Sequence, residues 1–463
     1  MINEKSKKEV ALLDQIEDSF NENPKNRENI YYDSCTLPLD EFNNYFNLLL
    51  ANEESWAIVL DKIYYGAKKE SIKVTKEQFS LLLSIAQNSR RRTMQTALSI
   101  IYCYSKYPTD YFVTICPPDF IDIIWKFLPK CLAFKILRYC VIHIPVLAAA
   151  KLTQLNILDV ILNTFNQSPH TEKYLLSTKD AIRLYISLLK VPQCNEYYEQ
   201  KLNIFLNELI RNPKKYKINL LIRLIDQDEK YLNDVIQNPN FFNMFPINGN
   251  PNFSLYQSDL KLRYHLINFV NYIFTVNMDL TIQFLSTPIW QYVSESFQTQ
   301  IMANRTRDTK NYLLSSIFNF LYLVGESQEG KLFLFSQKVH IQMFQLLNDS
   351  SFFILNRALK ILCQIGLTDS QEIIISLIQN GLIDSITVSL VSLETRSCRC
   401  VIECLTNIER IGEINENIAF VDAIFANADL VEAILALIDS PDEFISTHAA
   451  ALHARIRSYE NNS

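Results

Sequence analysis

The amino-acid sequence predicts an all-α chain built as an α-solenoid, and three observations lead there. First, residues 338–366, 380–412 and 427–460 repeat one design at a spacing of roughly 43 to 48 residues. Second, each of these segments carries a polar break after a short apolar stretch: Asn348-Asp349-Ser350, Glu394-Thr395-Arg396 and Asp439-Ser440-Pro441-Asp442. Third, small or apolar residues then recur at three- and four-residue steps, the spacing of one buried helix face. A unit of this kind cannot bury its apolar face alone and stacks on its neighbours.

Taken in order, residues 1–30 are expected to hold a helix and a flexible linker. Val10, Leu13, Ile16 and Phe20, with Glu17 beside them, fall near one stripe over residues 9–20, and the polar stretch after it contains Pro24. Residues 31–75 read as capping helices, at 39–50 and 55–65, that cover the first repeat and show a polar outer surface. Repeats follow over 76–237. In the first of them Phe79, Leu82, Leu83 and Ala86 line one helix, Asn88-Ser89 breaks it, and Met94, Ala97, Leu98, Ile101 and Tyr104 line the next. Proline costs about 3 kcal/mol inside a helix, so Pro108, Pro117, Pro118 and Pro129 mark helix ends. Further helices are expected at 119–128, 131–142, 148–165, 179–190, 196–210, 217–225 and 230–237.

Residues 238–258 interrupt the pattern with Pro, Gly and Asn, yet include Phe241, Phe242, Phe245, Phe253 and Tyr256. They read either as an insertion that touches a partner or as an aromatic-stapled connector packed on the outside. Repeats with a C-terminal cap fill 259–463, opening with helices at 259–276, 279–297 (interrupted near Pro288) and 309–324. Arg90, Arg91 and Arg92 form one small basic cluster, and Arg305 and Arg307 with Lys310 form another. Each is either a secondary contact for an acidic group or a solvated turn.

Composition narrows the function classes. Lys plus Arg total 44 against 50 Asp plus Glu, a formal charge of -6 that argues against a nucleic-acid surface. Ten cysteines without CxxC pairing and the lack of a secretory leader point to a reducing, cytoplasmic compartment, with nuclear residence also open. No stretch approaches ~18 uninterrupted apolar residues, so no membrane partner is expected. Seven glycines leave no phosphate-binding loop or dinucleotide fingerprint. Cys398, Cys400 and Cys404 lack the fourth ligand and paired spacing of a zinc site. No catalytic residue, metal or cofactor is expected, and the chain does not read as an enzyme.

Asn380-Gly381-Leu382-Ile383 before an apolar helix, Leu405-Thr406-Asn407-Ile408 in the helix after it, and Ser440-Pro441-Asp442-Glu443 ahead of Ile445 resemble armadillo repeats. The likeness is to those of the importin alphas, the nuclear-import adaptors, and is best over the last third of the chain. It implies a right-handed superhelix in which an asparagine of each repeat's third helix faces a concave groove and holds an extended peptide. Asn407 stands at that position, and by register Asn268, Asn319 and Gln364 stand there in other units. In the family a tryptophan four residues earlier walls pockets for lysine or arginine; Tyr264, Ser315, Lys360 and Glu403 occupy those places here. The family's strongly basic, carrier-binding N-terminal segment is replaced by the mixed-charge MINEKSKKEVALLDQIED.

These residues lead to a protein-interaction scaffold that holds a protein or extended peptide in a groove. An amide suits that role because it both donates to and accepts from a main chain, and Asn407→Ala is expected to weaken binding with little effect on stability. Lys360 argues against a lysine-rich guest. The other readings are a nuclear transport adaptor, with an import carrier as second partner, and a structural subunit of a cytoskeletal or organellar assembly.

Overall fold

The computed structural model describes residues 39–463 except 52, 54–55, 69–71, 167–171, 212, 227, 248–258, 304–311, 350, 391–392 and 461–463. Among the described residues there are 27 α-helices, one 3-10 turn and no strand. The chain divides into two compact units, residues 1–127 and 128–463.

The first unit contains α1 (Leu39–Ala51), α2 (Trp56–Lys68), α3 (Lys76–Asn88), α4 (Arg91–Ser105), α5 (Thr109–Ile115) and α6 (Phe120–Trp125). The start of α3 is written locally. Thr75 accepts from the Gln78 amide at 3.3 Å, and the Gln78 side chain accepts from the Thr75 amide at 3.0 Å, a reciprocal cap that satisfies two otherwise orphaned donors. Ser89 and Arg90 are extended and separate α3 from α4. Helix α4 packs on both α2 and α3, and Leu60, Ile63, Phe79, Leu82, Leu98 and Ile101 of these helices are fully buried. The Tyr111 hydroxyl donates to the Val74 carbonyl at 2.8 Å and accepts from its amide at 2.6 Å, which ties α5 back to the approach to α3. The outer face of the first hairpin differs from the polar surface expected of a cap: Leu48, Ile58 and Tyr65 are exposed there.

The second unit is organised by eight helices that start at residues 131, 172, 215, 260, 312, 352, 395 and 443, roughly 40 to 52 residues apart, the period of a helical repeat. In chain order the unit contains α7 (Cys131–His143), α8 (Pro145–Gln154), α9 (Ile157–Asn166), α10 (Glu172–Leu189), α11 (Asn195–Glu199), α12 (Leu202–Arg211), α13 (Lys215–Ile225) and α14 (Lys230–Ile236). There follow α15 (Leu260–Val276), α16 (Leu280–Leu285), α17 (Pro288–Ala303), α18 (Tyr312–Val324), α19 (Gln328–Ser336), α20 (Val339–Asp349) and α21 (Phe352–Gly366). The last are α22 (Gln371–Gln379), α23 (Leu382–Ser389), α24 (Thr395–Ile414), α25 (Ile418–Phe425), α26 (Ala428–Ala436) and α27 (Glu443–Glu460). The spine helices α7, α10, α13, α15, α18, α21, α24 and α27 each pack directly on the next. Other helices, two in most repeats, connect each spine helix to its successor.

Several helix limits depart from the sequence expectation. The stretch 148–165 is two helices, because the chain turns at Asn156, whose φ is 54°. The stretch 196–210 is likewise broken between Glu199 and Leu202. Pro288 is the first residue of α17 and Pro145 the first of α8, where the missing N–H costs nothing. Gly381 has φ 91°, a left-handed value that makes glycine the fitting residue between α22 and α23.

Part of the aromatic stretch 238–258 is a packed connector. Phe241 and Met244 are fully buried and Phe245 nearly so. The Phe241 ring lies 5.8 Å from Phe284 and 6.4 Å from Phe269, and Phe245 lies 5.7 Å from Tyr292. These rings plug the space between α15, α16 and α17, as a connector stapled to the repeats would. Phe253 and Tyr256 lie outside the described residues.

Candidate partner-binding surface

The positions singled out by register lie on four consecutive spine helices: Tyr264 and Asn268 on α15, Ser315 and Asn319 on α18, Lys360 and Gln364 on α21, Glu403 and Asn407 on α24. Each helix exists because a broad apolar stripe is buried against its neighbours; on α24 it includes Val401, Ile402, Leu405 and Ile408. What remains at the surface is the strip between those stripes. Asn319 and Glu403 are exposed, and Tyr264, Asn268, Ser315, Lys360 and Asn407 are half-buried. Gln364 is buried.

The amides are not equivalent. Asn407 uses both its hydrogens, donating to the Gly366 carbonyl at 3.0 Å and the Thr368 carbonyl at 2.9 Å. Its oxygen accepts from Arg410 at 2.8 Å, and Arg410 also pairs with Asp369 at 2.7 Å. Gln364 repeats the arrangement one unit earlier by donating to the Gly325 carbonyl at 3.0 Å. Both amides therefore hold carbonyls at or just past the C-terminal end of the preceding spine helix, where a carbonyl has no partner inside the helix. The close approach is visible at the glycines, since a Cβ on Gly325 would come within 2.9 Å of the Gln364 side chain.

Between α15 and α18 the contacts differ. Asn271 donates to the Ser316 carbonyl at 2.9 Å, and the Ser316 hydroxyl donates to the Asn268 oxygen. Asn319 makes no hydrogen bond among the described residues. The two asparagines of α15 tie their repeat junction, and Asn319 presents its amide to solvent.

The places held by tryptophan in the importin alphas form a mixed surface. Tyr264 sits 6.1 Å from Tyr312 across the α15–α18 junction, and Tyr312 is 67% exposed. Lys360 lays its ammonium 3.7 Å above the ring of Tyr322, a residue of α18, a cation–π contact. Burial lowers the pKa of Lys360 and pushes that of Tyr322 up to about 12. Burial also raises the carboxyl of Glu326, which the Lys360 charge opposes. Next to this pair, Cys400 lies 3.8 Å from the Gln364 oxygen, its thiol raised to about 12 by burial. Cys398 and Cys404 are buried too, and every described cysteine is free. The described residues hold no cluster of three or more His, Cys, Asp or Glu suited to a metal.

Of the basic clusters, Arg90, Arg91 and Arg92 are exposed at the start of α4, and Arg305 and Arg307 lie outside the described residues. Tyr312, Tyr322 and Arg410 enter the surface, and Ser316 the buried junction beneath it, without having been singled out from the sequence. The signal for Tyr322 was one repeat length: it precedes Lys360 by nearly the same interval that separates Gly325 from Gln364.

No protein-family model and no curated protein matches the chain. Among solved structures, one engineered protein aligns with 90% of this chain and 98% of its own length, at 12% identity and a TM-score of 0.48. A second engineered protein aligns with 60% of this chain and 98% of its own, at 14% identity and a TM-score of 0.38.

Proposed function

We propose that this chain is a non-enzymatic interaction scaffold of armadillo-like repeats, wound right-handed, whose second unit holds an extended segment of a protein partner along the spine helices α15, α18, α21 and α24. The observation that carries this reading is the unspent strip on those helices. Tyr264, Tyr312, Ser315, Asn319 and Glu403 stay accessible while their helices are fixed by burial on both sides, so a guest meets a preorganised surface and orders few side chains. Asn319 and the free N–H groups of Asn268 supply bonds to a main chain, and Tyr264 and Tyr312 supply apolar area.

The chemistry favours a guest that is not lysine-rich. Of the places that wall pockets for a basic import signal, only Tyr264 is aromatic, and Lys360, held over the ring of Tyr322, brings a repelling charge to another. The guest best matched to α15 and α18 is an extended segment with aromatic or apolar side chains, its main chain gripped by amides.

The test is site-specific photo-cross-linking in the full chain. A benzophenone side chain at Asn319 or Glu403 is expected to capture a protein partner through a short, mappable segment. The same probe at Val388, which is 84% exposed on the connecting helix α23, is expected to capture little. Equal capture from Val388, or capture of lysine-rich segments that depends on Tyr322, would replace this reading with an assembly subunit or an import adaptor respectively.

A further inference from the structure

The strip on α15, α18, α21 and α24 changes chemistry along its length. At one end Tyr264 and Tyr312 meet across the α15–α18 junction. At the other, three cations share one place. Arg357 lies one turn before Lys360 on α21, on the same helix face. Arg396 belongs to the first turn of α24, and two contacts set it beside that face. The Glu394 amide donates to the Asn356 side chain at 3.4 Å, and the Cys400 thiol, one turn after Arg396, lies 3.7 Å from the Lys360 carbonyl. Packing of α21 on α24 gathers these groups; among the described residues no carboxylate forms an ion pair with Arg357, Lys360 or Arg396. Rings support the first two instead, since Arg357 lies 5.5 Å from the centre of Phe353 and Lys360 stands over Tyr322. Burial chiefly lowers the pKa of Lys360, and the charges of Arg357 and Arg396 lower it further. Of the carboxylates nearby, Glu326 is raised by burial, Glu403 acts on Arg399, and Glu394 is exposed. Like charges held together in this way favour an added anion.

We propose, resting on the strip as the seat of an extended guest, that Arg357, Lys360 and Arg396 receive acidic side chains of that guest. The partner segment then carries an aromatic or apolar residue for Tyr264 and Tyr312 and carboxylates for the cations of α21 and α24. Its spacing follows from the helices. Packed helices lie about 8–10 Å apart, so two helix steps separate the ends by about 16–20 Å, which an extended chain covers in about five or six residues. Guanidinium groups present paired N–H donors that match a carboxylate. Arg357 and Lys360 are half-buried against rings, so they lose little freedom when a carboxylate arrives.

The experiment measures the binding of fluorescein-labelled peptides to the full-length protein by anisotropy. Each peptide is a chain of serine and threonine with one phenylalanine and, about five or six residues on, a pair of glutamates, glutamines or lysines. The glutamate peptide is expected to bind about tenfold more tightly than the glutamine peptide, with an advantage that fades as salt is raised. The lysine peptide should bind more weakly than either. Arg357→Gln with Arg396→Gln is expected to bring the glutamate peptide down to the affinity of the glutamine peptide. Arg357→Lys with Arg396→Lys keeps the charge and should keep most of the advantage, which separates lost charge from lost folding. Equal affinities of the glutamate and glutamine peptides, an advantage that survives removal of both arginines, or no binding of any peptide would overturn the proposal. Cross-linking from Asn319 tests the seat separately: capture there without a preference for glutamate sinks the charge assignment alone, and no capture there sinks the seat.

Discussion

Asn407 shows how a single side chain changes meaning once its neighbours are known. Read alone, it is an amide available to a guest; in place, its two hydrogens are held by Gly366 and Thr368 and its oxygen by Arg410. Gly366 and Thr368 are buried, so their carbonyls have little access to water if the amide is removed. Asn407→Ala is therefore expected to lower unfolding stability by about 1–3 kcal/mol, the cost of unsatisfied buried acceptors, and to leave cross-linking from Asn319 intact. Asn407→Asp keeps the shape but turns an acceptor toward two carbonyls, and should cost more than alanine. Urea midpoints for the two variants decide the matter. An alanine variant as stable as the parent, with cross-linking lost, would return Asn407 to the guest.

At the scale of the element, the elbow between α18 and α19 leaves no room for a side chain at Gly330. Ser327 caps α19 by accepting from the Gly330 amide at 3.0 Å, and a Cβ on Gly330 would stand 1.7 Å from the Val324 carbonyl oxygen. Gly330 has no left-handed φ, so the demand is for space alone. Gly330→Ala must push the start of α19 off the end of α18, which is expected to cost about 3 kcal/mol and to speed amide exchange chiefly over α18 and α19. Gly381→Ala, where the strain is conformational, should cost nearer 1 kcal/mol; the reverse order would show that α19 shifts freely.

Helix existence and breaks at polar or proline residues were legible in the sequence, as at Asn88-Ser89 and Pro288. The divisions at Asn156, where the two helices meet at 74°, and near Gln200 were not, because the apolar spacing runs on across the break. The candidate surface was half legible for a related reason. Register picks out an amide at Gln364 or Asn407, but the carbonyls it serves sit one repeat earlier, at Gly325 and Gly366. Local spacing cannot separate an amide facing a guest from one facing the preceding helix end.

At the scale of the molecule, the second unit's spine helices contact one another in order, so its stability should behave as a chain of nearest-neighbour junctions in place of one shared core. Leu362 is fully buried in α21, between α18 and α24, and Leu362→Ala is expected to cost about 2–5 kcal/mol locally. In a chain of junctions that loss opens α21 and loosens the two faces packed on it. Hydrogen exchange should accelerate in α18, α21 and α24 while α7 and α10, five and four spine positions away from α21, keep their protection. A single cooperative core would behave otherwise, since every slow amide would then exchange through the same global unfolding and all would speed up together. Uniform acceleration from α7 to α27 would thus remove the basis for treating the surface as a modular strip, because the positioning of Asn319 would then depend on the whole unit.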